Sequence, residues 1–361
     1  MNMMPMENLT KQPIFFERNR VGRVYTGGAL YADFFGDDGT DGYLPEEWMA
    51  SAVRALNKGG TDPKEGVSRI RGTDIYFDDL LASGEHRQDL LGERDNFDLL
   101  VKMLDSAIRL PVQAHPNKVF SRKHFNSSYG KAESWIVVGV RPDAKIYMGF
   151  SKKVSREQFE AAIDASKTQG ADKFSEFLNE YHVQPGDCFF IPARVIHAIG
   201  PGCLILEVQE PSDFTISPEY WCGEYEQSYE EMYLGLDKAT ALSVFDFDTF
   251  GPQVLQQNRL RPAVVKDAGG VRVESIINST ITDCFSLNRI TADMGEARLD
   301  AAPAIYVVTK GAGELAGESE GYSRPLKKGD YFFLPHAAKG KFSVASHDTG
   351  GIEVYECMPP Q

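Results

Sequence analysis

The segment Val-Gln-Pro-Gly-Asp-Cys-Phe-Phe-Ile-Pro at residues 183–192 has a second copy at residues 326–335, which is Leu-Lys-Lys-Gly-Asp-Tyr-Phe-Phe-Leu-Pro. Each copy combines a Gly-Asp turn with a short apolar strand that ends at a proline. Continued without gaps, the alignment places Gly340 where the first copy has His197. The repeat predicts two related β-barrels, of which only the first is equipped for chemistry.

This order of turn, apolar strand and proline is typical of an inner strand of a cupin barrel. We therefore expect a mainly β protein with two cupin, or jelly-roll, β-barrel domains and a small helical insertion. The expected catalytic domain covers residues 1–250, and a C-terminal cupin domain without a metal covers residues 251–361. His336 and His347 of the second domain form no His-x-His pair, so we expect that domain to be structural.

Length, cysteines and charge narrow the class of protein. The 361 residues are enough for two domains with full cores. The five cysteines are scattered and form no Cys-x-x-Cys pair, which indicates reduced thiols in a cytoplasmic protein. The sequence contains no run of 18 apolar residues, so we expect no membrane span, and the polar N-terminus argues against a secretion signal. The net charge of −14 argues against nucleic acid or an anionic membrane as a partner.

A small helical insertion is predicted at about residues 153–182. Ser155 and Gln158 have the spacing of a capping box, which opens a helix. Aromatic and aliphatic side chains then recur at helical spacing, and the pattern breaks near residues 169–170. We therefore expect two helices, with a core face as the default role of their apolar side chains.

Two strand patterns make further predictions about pairing. Residues 135–140 and 145–150 are expected to be paired strands joined by the turn between them. In the second barrel, residues 305–308 are expected to form a strand that is followed by a tight turn at residues 310–314.

Four residues of the first barrel suggest a metal site. Gln113 and His115 alternate, so in a strand both side chains point to the same face. Glu133 begins an apolar strand pattern, and His197 follows the first copy of the repeat. Two imidazoles, a carboxylate and an amide oxygen suit one zinc ion or another first-row divalent ion. Each histidine taken singly is more often structural, so the prediction depends on the set.

The sequence resembles the type I mannose-6-phosphate isomerases, a family of zinc-dependent cupins. The resemblance covers essentially the whole chain. It is carried by Val-Gln-Ala-His-Pro at residues 112–116, Gly-Lys-Ala-Glu-Ser-Trp at residues 130–135, Ile-His-Ala-Ile-Gly at residues 196–200 and Glu-Val-Gln-Glu-Pro-Ser-Asp at residues 207–213.

The resemblance implies roles for individual residues. It makes Gln113, His115, Glu133 and His197 the zinc ligands and places Lys131 in the pocket beside them. Glu207 corresponds to a carboxylate proposed as the base that transfers a proton through an enediol. The predicted contacts with the sugar or sugar phosphate are made by Lys102, Lys118 and Asp213.

Three positions depart from the family pattern. Ser217 stands where the family has an arginine treated as catalytic, and Pro111 stands where it has a serine implicated in phosphate binding. Asn117 replaces a common aspartate and is followed by Lys118. Arg194 is a candidate for the missing catalytic arginine, although a surface role is the alternative.

The resemblance implies a metal-dependent aldose–ketose isomerase, which interconverts mannose 6-phosphate and fructose 6-phosphate. The departures leave two alternatives open. One is an isomerase for an unphosphorylated or different sugar, and the other is a regulatory cupin that binds a sugar without catalysis. The sequence does not define an oligomeric state.

Overall fold

A computed structural model describes residues 9–170, 172–318, 321–346 and 349–360, so His347 lies outside the described residues. Twenty-two strands, numbered in chain order, occur in these ranges: β1 (Ile14–Phe15), β2 (Arg20–Val21), β3 (Glu46–Met49), β4 (Leu100–Asp105), β5 (Glu133–Val140), β6 (Lys145–Phe150), β7 (Leu178–His182), β8 (Cys188–Ile191), β9 (His197–Ile199), β10 (Cys203–Gln209), β11 (Trp221–Cys222), β12 (Tyr225–Glu226), β13 (Arg259–Leu260), β14 (Ala263–Ala268), β15 (Val271–Ile277), β16 (Ser286–Ala292), β17 (Gly295–Arg298), β18 (Ala304–Gly317), β19 (Ser323–Lys327), β20 (Tyr331–Leu334), β21 (Phe342–Ser346) and β22 (Ile352–Met358).

The helices of the described residues are short. They are α1 (Tyr31–Phe35), α2 (Phe77–Ala82), α3 (Arg87–Leu91), α4 (Lys118–His124), α5 (Arg156–Ala165), α6 (Tyr229–Tyr233), α7 (Lys238–Leu242) and α8 (Pro252–Asn258), with 3₁₀ turns at Ser175–Phe177 and His336–Ala338. Within the ranges given above, no helix has the length and apolar character needed to cross a membrane. The protein is therefore mainly β, as the sequence predicts.

The first barrel consists of a seven-stranded and a three-stranded antiparallel sheet. The strand order is β13-β8-β5-β10-β4-β3-β2 in the larger sheet and β7-β6-β9 in the smaller one. Trp135, Val137 and Ile205 of the larger sheet pack against Ile146 and Met148 of the smaller one, and these side chains form one buried cluster. The interior of the first barrel lies between these two sheets.

The second barrel is a single ten-stranded sheet with the path β1-β20-β18-β22-β16-β15-β14 and three further strands, β17, β19 and β21. Tyr306, Leu315, Phe332 and Phe342 are among the side chains that fill its interior. A separate cluster that includes Leu206 of the first barrel and Phe333 of the second packs the two sheets together.

The repeat identified in the sequence forms the same turn in both barrels. The Asp187 carboxylate accepts a hydrogen bond of 3.0 Å from the Gln184 N–H, and the Asp330 carboxylate accepts one of 2.9 Å from the Lys327 N–H. The glycine before each aspartate has a positive φ, which favours glycine at this position. Each turn leads into an inner strand, β8 or β20.

The N-terminus and the link between the repeats cross between sheets. β1 pairs with β20 of the second barrel, and β13 pairs with β8 of the first. The division of the chain at residues 250 and 251 remains a prediction.

Three local predictions from the sequence were wrong. The insertion at about residues 153–182 contains one helix, α5, capped by Ser155 and Gln158 as expected, but a 3₁₀ turn and β7 replace the second helix. β5 and β6 do not pair with each other, because they belong to the two different sheets of the barrel. The expected turn at residues 310–314 is part of β18, which continues through a bulge to Gly317.

Candidate metal centre and active site

His115, Glu133 and His197 converge inside the first barrel. The Nε2 atoms of the two histidines are 3.1 Å apart, and Glu133 Oε1 lies 3.0 Å from His115 Nε2. Glu133 Oε2 lies 3.8 Å from His197 Nε2. All three side chains are at most 1 % exposed. Three donor atoms of the types that bind divalent cations therefore face one point.

The three side chains come from different elements of the first barrel, and backbone pairing brings these elements together. Glu133 is the first residue of β5, and His197 is the first residue of β9. Gln113 and His197 exchange two backbone hydrogen bonds of 2.9 Å, which set the segment of Gln113 and His115 beside β9. Gln113 and Glu133 both line one cavity, which is described below.

The histidine ring nitrogens indicate that a cation fits between them. His115 Nδ1 lies 2.9 Å from the Phe214 carbonyl oxygen, and His197 Nδ1 lies 2.8 Å from that of Val195. A carbonyl oxygen only accepts, so each Nδ1 must carry the proton and each Nε2 presents a lone pair. Two lone pairs that face each other at 3.1 Å repel unless a cation lies between them, so the donor set fits a metal ion.

Burial keeps both imidazoles neutral, which metal ligation requires. Burial and the Lys131 ammonium lower the pKa of His115. Burial and the neighbouring His115 lower the pKa of His197 to about 3. Burial opposes ionisation of Glu133, but the Lys131 ammonium outweighs it and lowers the pKa of that carboxyl well below its usual value. The three groups are thus in the forms that bind a divalent cation.

Lys131 is a buried cation beside the candidate ligands. Its Nζ lies 2.9 Å from Glu133 Oε1, 3.4 Å from His115 Nε2 and 3.4 Å from Thr215 Oγ1. The side chain lines the cavity, so the ammonium is near both the donor set and any bound ligand.

Glu207 lies in a row of side chains that crosses the inner face of the larger sheet. In the register of the strands, Glu207 of β10 is opposite Lys102 of β4 on one side and Trp135 of β5 on the other. Glu207 Oε1 lies 3.3 Å from Lys102 Nζ, and Glu207 Oε2 accepts a hydrogen bond of 3.1 Å from Trp135 Nε1.

Burial and repulsion from Glu133 raise the pKa of Glu207 to about 7, although Lys102 and Lys131 act in the opposite direction. A carboxyl with a pKa near neutrality exchanges a proton readily at physiological pH. Glu207 therefore has the protonation properties of a general acid–base group.

A cavity of about 450 Å³ reaches Glu133 and Glu207, whereas His115 and His197 are not among the residues that line it. Its wall includes Gln113, Lys131, Glu133 and Glu207, together with the stacked rings of Phe125 and Phe214. This volume is within the range of small-molecule sites.

The structure brings most of the predicted site residues together, but not all. Lys102 and Asp213 line the cavity, as do Pro111 and Ser217, the positions of two departures from the family pattern. Arg194 and Lys118 are not among the residues that line it. Arg194 is exposed, donates a hydrogen bond from Nε to the Val244 carbonyl oxygen and lines a separate, smaller cleft.

Two charged groups of the cavity wall, the buried Glu46 and the partly buried Arg23, were missed in the sequence. Glu46 Oε2 lies 3.7 Å from Lys102 Nζ and 3.0 Å from Arg23 Nε, and Arg23 also contacts Asp213 at 3.0 Å. Burial opposes ionisation of Glu46, but Arg23 and Lys102 lower its pKa to about 2. One signal was available, because Glu46 and Trp48 repeat the Glu-x-Trp spacing of Glu133 and Trp135.

No protein-family model matches the chain. The chain is 28% identical over 344 residues to mannose-6-phosphate isomerase ManA of Bacillus subtilis, and the aligned region covers 94% of this chain and 98% of that protein. It is 28% identical over 336 residues to the mannose-6-phosphate isomerase of Streptococcus mutans, which covers 91% of this chain and 94% of that protein.

Solved structures share the fold. The mannose 6-phosphate isomerase from Bacillus subtilis superposes with a TM-score of 0.73 at 23% identity, covering 96% of this chain and 99% of that one. A mannose 6-phosphate isomerase bound with zinc and yttrium gives a TM-score of 0.70 at 16% identity, covering 97% of this chain and all of that one.

Proposed function

We propose that this chain, which resembles the type I mannose-6-phosphate isomerases in sequence over nearly its whole length and in fold, is a metal-dependent aldose–ketose isomerase. One observation of the site carries the proposal. Glu133 of the converging His-Glu-His set lines the same cavity as Glu207, a buried carboxyl whose pKa burial and Glu133 raise to about 7. Metal ligands and an acid–base group are the two components that this isomerisation needs.

His115, Glu133 and His197 would hold the metal, with the Gln113 amide as a fourth donor. Zinc suits this mixed nitrogen and oxygen set, and a solved structure with the same fold binds zinc. A bound divalent cation would polarise the sugar's carbonyl and hydroxyl oxygens and so make the proton on the adjacent carbon easier to remove.

The chain's own residues account for the proton transfer. Glu207 takes the proton from C2 of the aldose and returns it to C1, while the proton of the C2 hydroxyl ends on the C1 oxygen. The product is the ketose, and no atom is gained or lost. The Lys131 ammonium stabilises the negative charge that develops on the sugar oxygens, because Lys131 is buried and water screens its charge weakly there.

The names of the relatives suggest mannose 6-phosphate and fructose 6-phosphate as the substrate pair. One observation favours an unphosphorylated sugar as the second candidate. Each of the four cations that line the cavity contacts a carboxylate; they are Arg23, Lys58, Lys102 and Lys131. A phosphate would therefore compete with these carboxylates.

Isomerisation assays on protein loaded with zinc, cobalt or manganese test the function. Mannose 6-phosphate and free mannose are offered separately, and the ketose is detected by NMR. We expect turnover of at least one of them. A metal-loaded protein that converts neither these sugars nor a wider panel of aldoses and their 6-phosphates would contradict the proposal and favour a sugar-binding cupin.

We also propose a cytoplasmic location. All five cysteines are free thiols that are buried in the fold. Thiols of this kind persist most readily in a reducing compartment.

A further inference from the structure

The indole N–H of Trp135 lies between two carboxylates. Trp135 Nε1 is 3.2 Å from Glu133 Oε2 and 3.1 Å from Glu207 Oε2. The side chain is fully buried, and its ring packs edge-on against His197 at 5.4 Å between ring centroids. One donor thus contacts both a candidate metal ligand and the candidate proton-transfer group.

Strand geometry holds this bridge, the two hydrogen bonds from the Trp135 N–H to Glu133 and Glu207, in a fixed position. Glu133 and Trp135 are two residues apart on β5, so both side chains point into the barrel. Glu207 is directly opposite Trp135 on β10. The indole is a planar donor without an acceptor, so its position fixes one oxygen of each carboxylate.

The same chain contains a matched arrangement that serves as a reference. Trp48 Nε1 donates a hydrogen bond of 2.7 Å to Glu46 Oε2, again two residues earlier on one strand. Trp48 is also fully buried, but its indole N–H donates to Glu46, which is not one of the candidate metal ligands. The two tryptophans therefore share a local structure and differ in what they contact.

We propose that Trp135 is a positioning residue that fixes the Glu133 carboxylate for the metal and the Glu207 carboxylate for proton transfer through one shared N–H. Lys102 holds the other oxygen of Glu207 at 3.3 Å, so the bridge completes the orientation of that carboxyl group. Groups that orient metal ligands affect both metal affinity and activity. The part that concerns Glu207 rests on the proposed isomerase function, whereas the part that concerns Glu133 does not.

The variants W135F and W48F test this role, since each keeps an aromatic ring and removes one indole N–H. Zinc affinity is measured by competition with a chromophoric chelator. We expect about a tenfold loss of zinc affinity in W135F and less than a threefold loss in W48F. At saturating zinc, kcat of W135F falls at least tenfold with KM nearly unchanged, and the acidic limb of the kcat/KM profile moves to higher pH because Glu207 has lost a donor that stabilises its ionised form.

A measurement on the wild type covers the case in which W135F does not fold. The chain has three tryptophans, whose indole N–H resonances are followed in ¹⁵N-labelled protein. We expect zinc addition to shift the Trp135 resonance more than that of Trp48.

Equal zinc affinities of W135F and W48F, or equal zinc-induced shifts of the two indole resonances, would overturn the inference. An acidic limb and a kcat in W135F that match those of W48F would also overturn it. A wild type that converts no sugar would refute the proposed function instead, and the zinc measurements would still decide the role of Trp135.

Discussion

Replacement of Lys102 by methionine removes a buried positive charge from the site, and we expect it to lower the free energy of unfolding by an amount that depends on pH. Lys102 is 2 % exposed and lies 3.3 Å from Glu207 and 3.7 Å from Glu46. Each attraction is worth roughly 4 to 5 kcal/mol at an effective dielectric constant of about 20. Removing one partner of a buried pair typically destabilises a protein by about 3 to 5 kcal/mol, because a charge is left unpaired.

Protonation of Glu207 limits this loss and makes it depend on pH. The pKa of Glu207 is raised to about 7 in the folded state from an ordinary value near 4.5, so between these pH values the Glu207 carboxyl is protonated in the folded protein and ionised in the unfolded one. The contribution of this carboxyl to the free energy of unfolding is therefore fully present below about pH 4.5 and is lost as pH rises through 7. In K102M the pKa of Glu207 rises further, so the loss continues above pH 7 by about 1.4 kcal/mol for each pH unit.

The expected destabilisation of K102M is therefore about 2 kcal/mol larger at pH 8.5 than at pH 5.5, since 1.5 pH units separate pH 8.5 from the wild-type pKa. We expect Glu46 to stay ionised at both pH values and so to add nothing to this difference, because Arg23, the larger of the two charges that lower its wild-type pKa to about 2, remains in K102M. Urea denaturation in the presence of a chelator, at both pH values, measures the free energy of unfolding.

Lys145 provides the matched control. It pairs with Glu180 at 3.0 Å, but the two side chains are 26% and 40% exposed. K145M is expected to lose less than about 1 kcal/mol at either pH, as surface pairs do. A K102M variant that is destabilised equally at pH 5.5 and 8.5 would refute the assignment of a raised pKa to Glu207.

Three further outcomes are expected. H197A should lose stoichiometric zinc, measured by elemental analysis, and nearly all isomerase activity, whereas H182A, at a side chain 66% exposed, should retain both. The kcat/KM profile should rise with pH to a midpoint at or below about 7. Burial and Glu133 raise the pKa of Glu207 to about 7, and a bound cation would lower that pKa again. A kcat/KM that does not change between pH 5 and 8 would contradict this assignment. Zinc at a hundred times its dissociation constant should raise the free energy of unfolding by about 2.7 kcal/mol over chelator-treated protein, and an unchanged urea midpoint would argue against the metal site.

The sequence predicted the architecture because its strongest signals are local and repeated. The Gly-Asp turn before β8 and the one before β20 depend on a positive φ and one side-chain hydrogen bond, which the residue types determine. The resemblance to mannose-6-phosphate isomerases was confirmed by relatives that cover more than nine-tenths of the chain. Pairing between β5 and β6 was wrong because adjacency in sequence does not determine which sheet a strand joins.

The site was partly predictable for a similar reason. Strand alternation and motif spacing identified His115, Glu133 and His197, which the structure brings together. The contacts of Arg23 with Asp213 and of Glu46 with Lys102 join segments far apart in the chain, and local patterns do not specify such pairs. The Glu-x-Trp spacing marked Glu46, but spacing alone does not show that the strand β3 lies beside Lys102.

The contrast between the two barrels explains why one repeat unit carries the candidate site. The position of His197 in the first barrel corresponds to Gly340 in the second, where φ is +70° and a larger side chain would be strained. The interior of the second barrel is filled by apolar side chains such as Tyr306, Leu315 and Phe332. The first barrel instead accommodates buried charges in ordered pairs, so a cavity can remain between its sheets. Introducing a histidine at Gly340 would therefore not by itself create a metal site, because among the described residues the His, Cys, Asp and Glu side chains that could hold a metal ion converge at His115, Glu133 and His197 and not in that barrel.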